Sequence, residues 1–286
     1  MTRLLISMGI LVLLVALAVR WFAFSAPLPV TGISAPLPQS KNLPLPQISA
    51  RHIFIWDVTH RTPLYSLDAD SRIHPASTTK MMTALVALAF YPPDRVITVS
   101  KAYSEGQDIG LTPGEQITVE RLLYALLVQS ANDAAEVLAE NYPGGRESFV
   151  TAMNNRAGEL HLLHTVYQNP SGLDQDGHVS TAADLARLAD EFMHQTLLAR
   201  IVSAENAVLA TENSNSAHIL NNTNILLGKV EGVLGAKTGF TDLAGQSLVT
   251  LVNRNNHPVI ISVLGSDDRF RDTELLINWV YTSFTW

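Results

Sequence analysis

The sequence predicts an α/β (α+β) fold, with one antiparallel sheet built from both ends of the globular region, covered by helices and carrying an inserted helical lobe. Two hairpin patterns lead there, one starting at His52 and one at Gln246, together with the fact that the long helical patterns before the last lie between them. His52 to Val58 is apolar and β-branched, Arg61-Thr62-Pro63 is its turn, and Leu64 to Leu67 returns. Ser77 to Phe90 is helical by composition, and Met81, Met82, Leu85, Val86, Leu88 and Ala89 leave it too apolar all round for a surface helix. It is predicted to be central. Val119 to Asn141 gives two helical stretches flanking Gln129-Ser130-Ala131, and Ser180 to Gln195 gives another, capped by Ser180 or Thr181. Gln246 to Arg254 and Pro258 to Leu264 are strands joined through Asn255-Asn256-His257, and Asp267 to Tyr281 is a closing amphipathic helix.

Composition narrows the function. The 286 residues are 47% hydrophobic and 16% charged, which suits a sizeable core and excludes disorder over most of the length. A formal net charge of −7 without any basic run excludes a protein that tracks nucleic-acid phosphates. With no cysteine there is neither a disulfide framework nor a thiolate nucleophile. Nine histidines occur, none in His-Glu-x-x-His spacing, so no metal or other cofactor is expected.

Arg3 precedes an unbroken apolar run from Leu4 to Val19, followed by Arg20 and Trp21-Phe22-Ala23-Phe24. Residues 1–24 therefore read as a signal peptide or an N-terminal anchor in the cytoplasmic membrane, with the rest exported to the periplasm or the extracytoplasmic face. Cleavage after Ser25 fits an Ala23-x-Ser25 site, whereas an uncleaved segment would use Trp21 and Phe22 as an interfacial anchor. Residues 25–47 hold six prolines and repeat Ser-Ala-Pro-Leu-Pro, the pattern of an extended, semi-rigid linker. Residues 48–286 form the globular domain.

Three short segments carry chemistry. In Ser77-Thr78-Thr79-Lys80 the i, i+3 spacing at a helix start sets a hydroxyl and an amine on one face. Burial or a second cation would lower the lysine pKa and make it a base, and the helix N-terminus suits an oxyanion. Alone the match is weak, expected about once by chance in a chain of this length. Ser130-Ala131-Asn132, at a break between helices, is no rarer; its hydroxyl could relay a proton and its amide orient a lysine. Lys237-Thr238-Gly239 is expected in about one such chain in twenty, and offers a second cation, a hydroxyl for a carboxylate, and room for a substrate strand at a sheet edge.

In this order the three segments make up the active-site set of penicillin-binding proteins and class A β-lactamases. With His74-Pro75-Ala76, Asn169 to Leu173, His178-Val179-Ser180-Thr181 and Gly235 to Gly245, the chain from about Ile53 to Trp279 resembles the low-molecular-weight serine D-Ala-D-Ala carboxypeptidases. The resemblance implies a three-layer DD-peptidase fold, antiparallel sheet between helices, with the cleft beside the helical lobe. It implies Ser77 as acylated nucleophile, Lys80 as its base, Ser130 as proton relay, and Asn132, Lys237, Thr238 and Gly239 as substrate-binding residues. The backbone N–H groups of Ser77 and Phe240 would form the oxyanion hole, and Arg269, paired with Phe270, would stand near the terminal carboxylate site. The substrate would be a peptidoglycan stem peptide ending in D-Ala-D-Ala, and β-lactams would acylate the same serine. His161 stands where relatives carry glycine, which puts one local turn in question. A β-lactamase shares the motif set, but the class A Glu-x-x-Leu-Asn segment is missing between Ser130 and Lys237. DD-endopeptidase activity uses the same residues and is not separable by sequence. The intact set argues against a non-catalytic wall-binding module.

Overall fold

The computed structural model describes residues 36–213 and 217–286, so the expected signal or anchor at 1–24 and the start of the linker lie outside the described residues. Among the described residues no helix is long and apolar enough to cross a membrane. The elements run β1 (Gln39–Ser40), β2 (His52–Asp57), β3 (Thr62–Leu67), α1 (Lys80–Phe90), β4 (Val96–Thr98), β5 (Gln116–Thr118), α2 (Val119–Leu127), α3 (Asn132–Glu140), α4 (Gly145–Glu159), α5 (Ala182–Met193) and α6 (Thr196–Val202). They continue with β6 (Asn206–Ala210), β7 (Ala217–Asn221), β8 (Val233–Thr241), β9 (Gly245–Arg254), β10 (His257–Ser266), α7 (Arg269–Ser283) and β11 (Phe284–Thr285).

Five antiparallel strands form the main sheet in the order β3-β2-β10-β9-β8, joining both ends of the globular region as the hairpin patterns require. Alternation divides its side chains between two cores. Ile53, Ile55, Leu248, Val252, Val259, Ile261 and Val263 pack with Leu276, Ile277 and Val280 of α7 on one face. Phe54, Val249, Ile260 and Leu264 face a second core, built around α1 and the other helices. The result is three layers, with α7 outside, the sheet in the middle and the helices beyond. Each fully buried aliphatic side chain contributes about 1.5–3 kcal/mol of transfer free energy, which ties the layers together.

Helix α1 is buried from Lys80 to Ala87 and touches α2, α3, α4, α5 and β8. Its predicted first turn is a separate 3-10 turn over Ala76–Thr79, with Ala76 at φ 50°. Asn255 and Asn256 both take positive φ, the conformation that a two-residue hairpin turn demands. In the first hairpin β2 ends at Asp57 and the strand resumes at Thr62, so the turn is Val58-Thr59-His60-Arg61, with Arg61 at φ 50°, rather than Arg61-Thr62-Pro63. Thr181 caps α5 by accepting from the Asp184 N–H at 3.1 Å. His161 sits at φ 54°, so the local turn for which the resemblance expects glycine takes the left-handed conformation here at some backbone cost.

The compact unit begins at Pro38, ten residues before the expected boundary at Ile48. β1 pairs with β11, Lys41 Nζ donates to the Thr282 carbonyl at 2.9 Å, and Trp279 Nε1 donates to the Leu43 carbonyl at 3.3 Å. Leu45 and Ile48 pack into the α7 core. Leu45, between Pro44 and Pro46, thus gives the segment an apolar side chain to bury, whereas Leu37 and Leu43 stay exposed.

Candidate active site

Ser77 sits in the 3-10 turn ahead of α1, where Pro75 O accepts from the Thr78 N–H and hydroxyl at 3.3 and 2.6 Å. One turn on, Lys80 is fully buried, and its Nζ donates to Ser77 Oγ at 2.9 Å, Asn132 Oδ1 at 2.6 Å and the Ser171 carbonyl at 2.5 Å. The Asn132 amide is oriented by its own Nδ2 donating to the Glu105 carbonyl at 2.8 Å, which leaves Oδ1 for the lysine. Between α2 and α3, Ser130 takes φ 64°, a left-handed conformation rare for a non-glycine residue and found where neighbours over-determine it. Asp133 supplies part of that constraint, its carboxylate accepting from the N–H groups of Ile109, Leu111 and Ala134.

The third segment lies on β8, the edge of the main sheet. Lys237 is buried, its Nζ donating to the carbonyl and hydroxyl of Thr238 at 3.1 and 3.3 Å. Thr238 Oγ1 lies 2.6 Å from Thr223 Oγ1. A Cβ at Gly239 would come within 3.2 Å of the Ala76 Cβ and 3.3 Å of the Pro75 carbonyl, so the glycine lets β8 lie against the nucleophile turn. Arg269, at the start of α7, donates from Nη1 to the Gly239 carbonyl at 2.9 Å, while its buried Nε has no partner among the described residues.

These residues surround one cleft of about 280 Å³. Ser77, Ser130, Asn132, Thr238, Gly239, Phe240 and Arg269 line it, and the two lysines lie buried behind the wall. Phe240 stands at the rim, 59% exposed. Burial holds Lys80 well below the usual lysine pKa and the nearby Lys237 adds to the effect, with Glu136 and Asp133 opposing it. Burial, then Arg269, brings Lys237 down to about 7. Both burial and the second cation favour the neutral form of the Lys80 amine, the form that can accept a proton. Among the described residues no cluster of histidine and acid side chains could hold a metal ion.

Sequence reasoning assigned no role to Ser171, Gly172, Thr223 or His178. The segment Asn169 to Leu173 was visible only as part of the family pattern. Asn169 Oδ1 accepts from the Gly172 N–H at 2.7 Å, closing a turn that delivers the Ser171 carbonyl to Lys80. His178 Nδ1 accepts from the Gln168 N–H at 2.9 Å, so the proton sits on Nε2 and is donated to Thr79 Oγ1 at 2.8 Å. This bond ties that loop to the nucleophile turn. Burial, reinforced by His74, brings His178 down to about 4. In the unfolded chain the ring would take up a proton near 6.5, so between about pH 6.5 and 4 the unfolded state binds the extra proton and stability falls as pH falls, by about 3 kcal/mol in total. His178→Gln is expected to flatten that stretch of the stability–pH curve, read from urea midpoints. An unchanged slope would assign the acid loss to other groups.

A family model for D-alanyl-D-alanine carboxypeptidase, peptidase S11, matches residues 39–268. The D-alanyl-D-alanine endopeptidase of Pseudomonas aeruginosa is 35% identical over 263 residues, covering 88% of this chain and 84% of that protein. The D-alanyl-D-alanine carboxypeptidase DacF of Bacillus subtilis is 36% identical over 210 residues, 71% of this chain, and the match spans only 54% of DacF. Among solved structures, the Streptomyces K15 DD-transpeptidase superposes with a TM-score of 0.80 at 31% identity, covering 84% of this chain and 100% of that one. With the fold, the motif order and the family match in agreement, the chain belongs to the peptidase S11 family of D-alanyl-D-alanine carboxypeptidases.

Proposed function

We propose that this protein is a serine D-Ala-D-Ala carboxypeptidase, removing the terminal D-alanine of peptidoglycan stem peptides through an acyl-enzyme on Ser77, and that β-lactams acylate the same serine. The observation that carries the reading is the buried, pKa-depressed Lys80 amine 2.9 Å from the Ser77 hydroxyl at the floor of the cleft. Neutral Lys80 takes the serine proton as Oγ attacks the carbonyl of the penultimate D-alanine. The N–H groups of Ser77 and Phe240 hold the oxyanion. Thr238 and Arg269 take the terminal carboxylate, and Lys237, buried behind the wall, holds the Thr238 hydroxyl in place through Nζ. Ser130 passes the proton to the departing D-alanine amine, and water then releases the acyl group. Among the described residues no carboxylate lines the cleft, which favours slow release of a penicilloyl group over β-lactamase turnover.

Arg3 and the apolar run from Leu4 to Val19 support an exported enzyme held at the extracytoplasmic face of the membrane, with the proline-rich segment as spacer. Endopeptidase activity on cross-linked peptides is a second reading, favoured by the 84% coverage of the Pseudomonas endopeptidase.

Intact mass after incubation with a penicillin tests the assignment. A single adduct that persists for hours on the wild type and is absent from Ser77→Ala is expected, together with release of D-alanine from a pentapeptide ending in D-Ala-D-Ala. Rapid penicillin hydrolysis without accumulation would instead identify a β-lactamase, and neither adduct nor hydrolysis a non-catalytic module.

A further inference from the structure

β7 ends at Asn221, and the chain leaves it through turns built on asparagine side chains. Asn222 Nδ2 donates to the carbonyls of Val202 and Ala204 at 3.2 and 2.9 Å, while Asn222 Oδ1 accepts from the Asn224 N–H at 2.9 Å. Asn224 Oδ1 in turn accepts from the Leu226 N–H at 3.2 Å. Thr223 is thus fixed from both sides, each flanking side chain closing its own backbone turn. The Thr223 N–H donates to the Val128 carbonyl at 3.1 Å, two residues before Ser130, so the same residue is tied to the helical lobe. Its side chain enters the wall of the catalytic cleft, where its Oγ1 stands 2.6 Å from Thr238 Oγ1.

A hydroxyl has one hydrogen to give and can accept two. At Thr238 Oγ1, Lys237 Nζ already donates from behind the wall at 3.3 Å. Two arrangements satisfy the close pair of threonines. If Thr238 donates to Thr223, its only hydrogen is used inside the protein, and a carboxylate in the cleft meets oxygen lone pairs. If Thr223 donates, both acceptor positions of Thr238 are filled and the Thr238 hydrogen points into the cleft. A carboxylate can only accept, so its arrival selects the second arrangement. The chain from the Thr223 hydroxyl through the Thr238 hydroxyl to the carboxylate is then strengthened by mutual polarisation. Among the described residues Thr223 Oγ1 has no other hydrogen-bond partner, so its hydrogen is free for this use.

We infer that Thr223 is a positioning residue for the substrate's terminal carboxylate: it donates to Thr238 and so turns the single Thr238 hydrogen towards that group. The inference rests on the DD-peptidase reading and adds to it a residue outside the three motif segments, 15 positions before Thr238 in the chain.

Benzylpenicillin and its methyl ester test it, because they differ only in whether the carboxylate is free. Acylation rate constants for both come from adduct growth followed by intact mass. The wild type is expected to react with the free acid at least about a hundredfold faster, having lost with the ester its hydrogen bonds to a charged group. Thr223→Val keeps the shape and the backbone N–H and removes the hydroxyl; its acid-to-ester ratio should fall about tenfold below that of the wild type. Thr223→Ser keeps the hydroxyl, and its ratio should stay within about twofold of the wild type. Thr223→Ala removes the hydroxyl with no demand on space and should repeat the valine result. Each ratio is internal to one protein and so does not depend on the fraction folded. Equal losses on acid and ester in the valine and alanine variants would make Thr223 a packing residue and overturn the inference. A wild-type ratio retained without the hydroxyl, or lost in the serine variant, would overturn it too. A wild type that reacts with neither compound would remove the peptidase reading itself.

Discussion

Lys80→Met is expected to slow acylation of Ser77 by a penicillin by about two to four orders of magnitude, the range over which a positioned general base acts. The substitution keeps the side-chain volume and removes only the amine. In the wild type the acylation rate is expected to fall as the pH falls, because a protonated Lys80 can no longer accept the proton of Ser77. In the variant that acid limb should vanish along with most of the rate. Stability moves little, since two effects oppose each other. The lysine pKa is lower folded than unfolded, so protonation favours the unfolded chain and the methionine removes that cost. Against this, Asn132 Oδ1 and the Ser171 carbonyl each lose a buried donor, at about 1–3 kcal/mol apiece. Adduct growth followed by intact mass at several pH values decides the matter. A variant acylating within tenfold of the wild type, with the acid limb retained, would show that another group takes the proton.

Gly172→Ala is expected to cost at least about 4 kcal/mol, at the far end of single-substitution effects. A Cβ there would lie 1.9 Å from the Ala76 carbonyl oxygen and 3.0 Å from the Ser77 amide nitrogen, and the residue sits at φ 90°. Neither clash can be relieved by turning a side chain, because both neighbours are backbone, and the backbone belongs to the nucleophile turn. Whatever fraction folds would carry a displaced Ser77 and a displaced Ser171 carbonyl, so penicillin acylation should fall in the folded protein too. A thermal melt with acylation measured on the same sample separates the two losses. A variant melting within a few degrees of the wild type would mean that this turn yields more than the packing implies.

The hairpins at His52 and Gln246, the buried central helix and the break at Ser130 were legible because each has a local cause: alternation, continuous apolarity, or a polar interruption between helices. Helix α4 was not, since it buries only Phe149, Met153 and Ala157, a single row four residues apart on an otherwise polar segment that opens with two left-handed glycines. The hairpin of β6 and β7 was missed for a related reason, its outer face bearing Val208 and Ile219 exposed beside an inner face of Ala207, Leu209, Leu220 and the polar His218, so that no alternation marks it. That β1 would pair with β11 and Leu45 would meet the α7 core was not legible, because proline spacing reports an extended backbone and says nothing of what that backbone will lie against.

By itself the sequence determined the two hairpins of the main sheet, the buried central helix between them, and the short motifs brought to the cleft, because these follow from periodicity, turn chemistry and residue pattern. Only the tertiary structure decided that both lysines are buried behind the cleft wall, which lowers their pKa values through desolvation. Likewise, only folding brings the third acceptor to Lys80, the Ser171 carbonyl 91 residues away. A backbone carbonyl is common to every residue, and its place in space is set by the packing of distant elements, so no residue pattern announces it.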